Sequence, residues 1–281
     1  MNSSDKQQKM LEINVHQKKF YNDVVDYATP PKKSNFITLL WWRLRDLQQN
    51  YRNDLQIQNE IHTLHTKWLG NLASCNVLDL GCYKGNFLSL YIAENSNSYL
   101  GIDLSEAGIS ILSDTLKNNN LSNSEAIAAD FLSAEFQEKY KGKFDVIYAN
   151  GVAHHFEYFD VFLKNLHNIL SENGRVIMLD PMQTPTLLRI ARYLYRPFQS
   201  DKDWEWPFDK KNFDEIQSVF TINNIQGIMG RAKWGMFLYF ISHKLGISVG
   251  KKWHRYDIEY ANTISPDLWS CMQVVMCIEK K

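Results

Sequence analysis

The chain has 281 residues, 44% of them hydrophobic and 22% charged, enough for one substantial core with appended elements. Lys plus Arg and Asp plus Glu each total 31, so the net charge is zero, against the basic footprint of sequence-independent nucleic-acid binding. Cys75, Cys82, Cys271 and Cys277 form no C-x-x-C pair and no metal-ligand spacing, so a reduced, cytoplasmic protein without a metal site is expected.

Met1 to Lys9 is polar and lacks the apolar core of a signal peptide, and residues 1 to 15 are expected to fray. Phe20 to Tyr27 leads to a break at Pro30-Pro31. From about Asn35 to Leu69, apolar residues recur every three or four positions (Leu40, Leu44, Leu47, then Ile57, Ile61, Leu64, Trp68). That spacing predicts a helix with an apolar stripe, packed on the domain edge or closing over a ligand. No apolar run reaches the length of a membrane-spanning helix.

Val77, Leu78 and Leu80 predict a short strand interrupted by Asp79. Gly81 and Gly85 bracket a tight turn, and Phe87 to Ile92 reads as the next helix. A glycine turn between strand and helix lets backbone approach a ligand closely. The order Asp79-x-Gly81-x-x-x-Gly85 lacks the G-x-G-x-x-G spacing of dinucleotide sites. A carboxylate at the strand tip repels a pyrophosphate and suits a cation. A second strand, Ser98 to Ile102, ends in Asp103, placed to accept hydrogen bonds from ribose hydroxyls. A ribose, a positive charge and no phosphate describe S-adenosylmethionine.

Ser105 reads as the N-cap of a helix running to about Lys117. A third strand, Glu125 to Ala129, ends at Asp130-Phe131, and a fourth spans Lys143 to Ala149. Asn150, Gly151, Val152, Ala153, His154 and His155 leave its carboxyl end, where open α/β sheets bind ligands. A helix from Tyr158 to Leu170 and a fifth strand, Arg175 to Asp180, follow. Strand–helix alternation of this kind predicts a parallel sheet with crossover helices. Leu187 to Phe198 reads as a helix carrying Arg189, Arg192 and Arg196; the aromatic stretch Trp204 to Phe208 comes next. A last helix from Phe213, a sixth strand from Thr221 to Ile228, an apolar insertion at Trp234 to Ile241 and a seventh strand, Gln273 to Ile278, complete the chain.

Val77-Leu78-Asp79-Leu80-Gly81-Cys82 with Gly85, then Gly101-Ile102-Asp103-Leu104-Ser105, resembles the class I S-adenosylmethionine-dependent methyltransferases. The resemblance covers roughly residues 70 to 182 and, more loosely, the C-terminus. It implies a Rossmann-like seven-stranded sheet whose seventh strand runs antiparallel between the fifth and sixth. The expected division is a helical cap at 1–70, a cofactor core at 71–182, a substrate lid at 183–212, and core completion at 213–281 with a second insertion at about 230–270.

The resemblance also implies roles. Asp79, Gly81 and Gly85 are expected around the methionine end with Tyr83 beside it, Asp103 at the ribose hydroxyls, Asp130 and Phe131 at the adenine, and Cys82, Leu104 and Asn150 are further cofactor-binding candidates. The family usually has a third glycine where this chain has Tyr83. His155 aligns with a catalytic histidine of the phosphoethanolamine-type methyltransferases, paired there with an N-terminal tyrosine, for which Tyr21 is the candidate here; His154 is the alternative base. A histidine base suits an alcohol acceptor, whose proton must leave, whereas an amine or carbon acceptor needs only alignment. The motif of base methylators is absent after the fourth strand, so a small-molecule or glycan-like acceptor is expected. Arg192, Arg196, Trp204 and Trp206 are candidates to meet it, and Arg189 to Arg196 with Trp234 to Ile241 could also rest on a membrane surface. A binding protein without turnover and an NAD-linked oxidoreductase are the rival classes.

Overall fold

The computed structural model describes residues 2–23, 36–196 and 202–281; the expected Pro30-Pro31 break lies outside them. Three helices come first: α1 (Ser3–Asp23), α2 (Phe36–Asp54) and α3 (Ile57–Leu69). The alternating core is β1 (Asn76–Leu80), α4 (Phe87–Asn95), β2 (Ser98–Asp103), α5 (Glu106–Asn118), β3 (Ser124–Ala128), α6 (Ala134–Lys139), β4 (Phe144–Asn150), α7 (Phe159–Ile169) and β5 (Leu170–Pro181). Then follow α8 (Thr186–Tyr195), α9 (Lys210–Val219), β6 (Phe220–Ile228), α10 (Gly235–Ile241), α11 (His243–Tyr260), α12 (Pro266–Trp269) and β7 (Gln273–Lys280).

The seven strands lie in the order β3-β2-β1-β4-β5-β7-β6. β1 to β5 pair in parallel through helical crossovers, while β7 runs antiparallel to both β5 and β6. This is the expected α/β class, with β7 between the fifth and sixth strands. Both sheet faces are covered, so the central strands are almost continuously apolar. Alternate residues serve opposite layers: Val77, Val146 and Ile177 pack with Leu69, Leu88 and Leu112 on one face. Leu78, Ile147 and Val176 pack with Phe162, Leu166 and Phe213 on the other. The order reverses beside β1, which opens a crevice at the carboxyl ends of β1 and β4.

The amino terminus corrects the sequence reading. Residues expected to fray form most of α1, with Met10 fully buried and Asn14 nearly so. α1 has no apolar stripe to reveal it, because polar side chains hold it down. Lys6 pairs with Asp160 at 2.6 Å, Lys18 with Glu106 at 2.6 Å, and Gln7 donates to the Leu132 carbonyl at 2.7 Å.

The helix expected over 35–69 is two helices, broken at Gln56, whose φ of 60° is left-handed. Tyr51, Leu55, Ile57 and Ile61 pack with Ile228, Met229, Tyr239 and Val275, so α2 and α3 brace the sheet and the second insertion. Tyr51 is fully buried and donates its hydroxyl to the Ala232 carbonyl at 2.7 Å. Gly235 and Gly250 make room for it: a Cβ on either would stand 2.2 or 2.3 Å from that hydroxyl.

Candidate active site

The carboxyl ends of β1, β2 and β3 and the loop after β4 surround a cavity of about 220 Å³, closed on one side by α1. Gly81, Tyr83, Asp103, Leu104, Asp130 and Phe131 line it, together with Asn14, Gln17 and Tyr21 from α1 and Val152, His155 and Phe156. The lining holds two carboxylates and no Lys or Arg among the described residues. None of the described side chains of α2 or α3 lines it; within the span expected as a cap, α1 is the covering part.

The turn after β1 is built on positive φ angles: 69° at Gly81, 46° at Tyr83 and 76° at Gly85. A Cβ on Gly81 would stand 2.4 Å from Val152 Cγ2, so glycine brings the turn against the β4 loop. Tyr83 holds a left-handed conformation usual for glycine, and two contacts hold it there. Its amide donates to Asp103 Oδ2 at 3.0 Å, and its ring lies over Gly108, where a Cβ would stand 2.5 Å away. Asn86 then caps α4 in a reciprocal capping box with Ser89.

Four residues expected at the cofactor do not line the cavity: Asp79, Cys82, Gly85 and Asn150. Asp79 is buried beneath the turn and accepts the Tyr99 hydroxyl at 2.8 Å; desolvation pushes its pKa up to about 6. Cys82 is buried beside Gly101. Gly85 faces Leu112, where a Cβ would stand 2.7 Å from Cδ1. Asn150 has its Oδ1 buried without a hydrogen-bond partner. These residues shape the cavity from behind.

The two lining carboxylates are held from several sides. Asp103 accepts the amides of Tyr83 at 3.0 Å and Ser105 at 2.8 Å. Asp130 accepts the Leu132 amide at 2.9 Å and the Asn14 side chain at 3.0 Å on both oxygens. Burial raises the pKa of each, and these hydrogen bonds oppose the rise. Gln17, buried on α1, has an Nε2 without a hydrogen-bond partner, a donor at the cavity wall.

The histidines separate into two roles. His155 lines the cavity, and its Nδ1 lies 2.8 Å from the Trp204 main-chain oxygen. The Tyr21 ring meets it edge-on, centroids 6.2 Å apart. His154 turns away from the cavity: its Nδ1 lies 2.8 Å from Asp180 Oδ1, which also accepts the His154 amide at 3.0 Å. Asp180 is fully buried, and desolvation pushes its pKa up to about 8, opposed by the amides of the loop. The two imidazoles lie with centroids 4.1 Å apart.

Trp204 and Trp206 do not line the cavity; they brace the histidines through the main chain. Besides the Trp204 carbonyl, the Trp206 amide donates to the His154 carbonyl at 2.6 Å. The Trp204 ring lies against Phe20 of α1, centroids 5.2 Å apart. Arg196 is exposed, and the side chain of Arg192 lies outside the described residues. Sequence reasoning missed Asn14, Gln17 and Asp180. The α1 pair carried no periodic signal; Asp180, a carboxylate at a strand tip like Asp103, was open to the same logic.

A family model described as a methyltransferase domain matches residues 13–234. An uncharacterized protein of Haemophilus influenzae is 30% identical over 109 residues, 39% of this chain and 43% of that protein. Among solved structures, magnesium protoporphyrin IX methyltransferase from Synechocystis PCC 6803 with bound S-adenosyl-homocysteine aligns with a TM-score of 0.56. The identity is 13%, over 95% of this chain and 99% of that one. Geranyl diphosphate C-methyltransferase from Streptomyces coelicolor A3(2), solved with Mg2+, geranyl diphosphate and S-adenosyl-L-homocysteine, also scores 0.56. There the identity is 11%, over 95% and 98% of the two chains.

Proposed function

The chain belongs to the methyltransferase-domain family, and on that premise we propose that it methylates a hydroxyl of a small-molecule or glycan-like acceptor. S-adenosylmethionine is the donor in this reading, as the S-adenosylhomocysteine complexes of its structural neighbours suggest. The cavity suits that molecule chemically: two strand-end carboxylates, an aromatic wall at Phe131, an unpartnered Gln17 donor, and no lining cation among the described residues. Asp103 would hold the ribose hydroxyls, Asp130 and Phe131 the adenine, and the Gly81–Tyr83 backbone the methionine end. When bound, the cofactor supplies an electrophilic methyl on a sulfonium.

One contact carries the choice of a hydroxyl acceptor: His155 Nδ1 at 2.8 Å from the Trp204 carbonyl oxygen. A carbonyl can only accept, so Nδ1 donates and the neutral ring keeps its lone pair on Nε2. His155 would take the acceptor's proton there, with Tyr21 beside it to orient the acceptor. His154, engaged with Asp180, would hold the loop. The 183–212 segment, with Trp204, Trp206, Arg192 and Arg196, would select the acceptor.

A screen of small alcohols, amines and glycans for S-adenosylhomocysteine release tests this reading. Turnover on a hydroxyl, lost in His155→Ala, is the expected outcome. Turnover confined to amine or carbon acceptors and little changed in His155→Ala would reassign the chemistry to alignment alone.

A further inference from the structure

α10 is apolar throughout, Gly-Met-Phe-Leu-Tyr-Phe-Ile, yet it lies at the surface. Gly235 and Tyr239 are buried against α2 and α11, while the opposite side stands bare: Phe237 is 56% exposed, Phe240 51% and Ile241 82%. Trp234 stacks on Phe237 with centroids 5.9 Å apart, and Leu245 extends the patch into α11. A surface helix ordinarily shows polar side chains on its outer face. α8 repeats the anomaly with Ile190, Tyr193 and Leu194 exposed one turn apart. The two segments leave the same sheet edge, since Pro181 and Ile228 both pair with Gln273. Two strand spacings, about 10 Å, separate their points of departure.

The charge around these patches is one-sided, although the chain as a whole is neutral. Between Gln217 and Tyr256 there are six Lys or Arg residues and no Asp or Glu. Of these, Lys244, Lys251, Lys252 and Arg255 are exposed on α11. From Pro181 to Arg196 there are three arginines and no acid. Of the nearby carboxylates, Asp54 accepts the Tyr239 hydroxyl at 2.7 Å and Asp267 stands 3.8 Å from Arg231, while Glu259 is an exposed acid at the carboxyl end of α11. A second copy of the chain is a poor cover, because a two-fold contact would set these cations against themselves. Exposed aromatic and aliphatic side chains flanked by Lys and Arg are the composition of helices that lie in a membrane interface.

We propose that α8 and α10, with the basic face of α11, dock on the surface of an anionic lipid bilayer. No described helix is long and apolar enough to cross a membrane, and the contact proposed is one of lying on the surface. Docking stands apart from the methyl-transfer reading, because it needs neither cofactor nor acceptor.

Co-sedimentation of the full chain with phosphatidylcholine vesicles, with and without phosphatidylglycerol, tests it. Binding should be at least about tenfold tighter with the anionic lipid and should weaken as salt rises. Combined Phe237→Ser, Phe240→Ser and Ile241→Ser, all at exposed positions, should weaken it about tenfold or more with the circular dichroism spectrum unchanged. Lys251→Glu with Lys252→Glu should remove the preference for phosphatidylglycerol. Absence of sedimentation with either vesicle, or triple-variant binding equal to wild type, would overturn the proposal. So would a wild-type dimer in sedimentation velocity that the triple variant turns into monomer, without vesicle binding.

Discussion

His155 and Trp204 are 49 positions apart in sequence, and the imidazole Nδ1 of one lies 2.8 Å from the main-chain oxygen of the other. The bond runs from the loop after β4 to the segment between α8 and α9, so the late insertion fixes the tautomer of a residue in the core. A side-chain substitution at Trp204 leaves the acceptor in place, and the test falls on the histidine.

His155→Ala should lower turnover by ~10²–10⁴-fold and remove the acidic limb of the pH–rate profile, the signature of a lost general base. His154→Ala should lower turnover less and leave that limb in place, because its imidazole faces Asp180. The check is the pH dependence of initial rates for both variants on the acceptor found by screening. A few-fold loss in His155→Ala with the limb intact would remove the base from the mechanism.

α1 is secured over the cavity by Asn14, whose amide reaches both oxygens of Asp130 at 3.0 Å. A hydrogen bond to a charged, buried acceptor contributes about 1.5–3 kcal/mol. Asn14→Ala should therefore speed hydrogen exchange of the α1 amides by about tenfold or more and leave exchange in β1 and β4 unchanged. Equal exchange in α1 for variant and wild type would mean that the ion pairs of Lys6 and Lys18 suffice to seat the helix.

Much of this arrangement is legible in the sequence. Short apolar runs ending in Asp103 and Asp130 mark strand tips, and a carboxylate there is costly unless a ligand or backbone amides use it. Pairing then brings those tips together, because parallel neighbours share one carboxyl edge. The sequence could not say which way Asp79 points; it turns to Tyr99 inside the fold, as its neighbour two strand residues earlier, Val77, also faces that layer. α1 was invisible for a different reason. Its contacts are amides and ion pairs with partners more than eighty positions away, and such contacts leave no periodicity. The break at Gln56 was open to the sequence, since the three-and-four spacing lapses there: Leu55 and Ile57 on either side are two positions apart.

Asp180 gives a prediction about stability and pH. Burial raises its pKa from 3.8 to about 8, so across that window the folded chain keeps a proton that the unfolded chain releases. Its contribution is full below the unfolded value and is lost as pH rises through the folded one. Asp180→Asn removes that titration and keeps an acceptor oxygen for the His154 amide. Urea midpoints taken at about pH 5 and about pH 8 should differ less for the variant than for wild type. An equal difference in both proteins would show that Asp180 titrates alike in the folded and unfolded chain.

The reading of this fold as an S-adenosylmethionine-dependent methyltransferase depends on the cavity between α1 and the strand tips. Titration calorimetry with S-adenosylhomocysteine on the full chain tests it most directly, with NAD as the competing ligand. Saturable binding of S-adenosylhomocysteine alone is expected, weakened about tenfold or more in Asp103→Ala, which takes a carboxylate from the lining. Asp103→Asn keeps an acceptor for only one of the two amides, since Tyr83 donates to Oδ2 and Ser105 to Oδ1, so circular dichroism and urea midpoints of both variants separate loss of the ligand contact from loss of the turn. No heat with S-adenosylhomocysteine, or an affinity equal to wild type in both folded variants, would contradict the account.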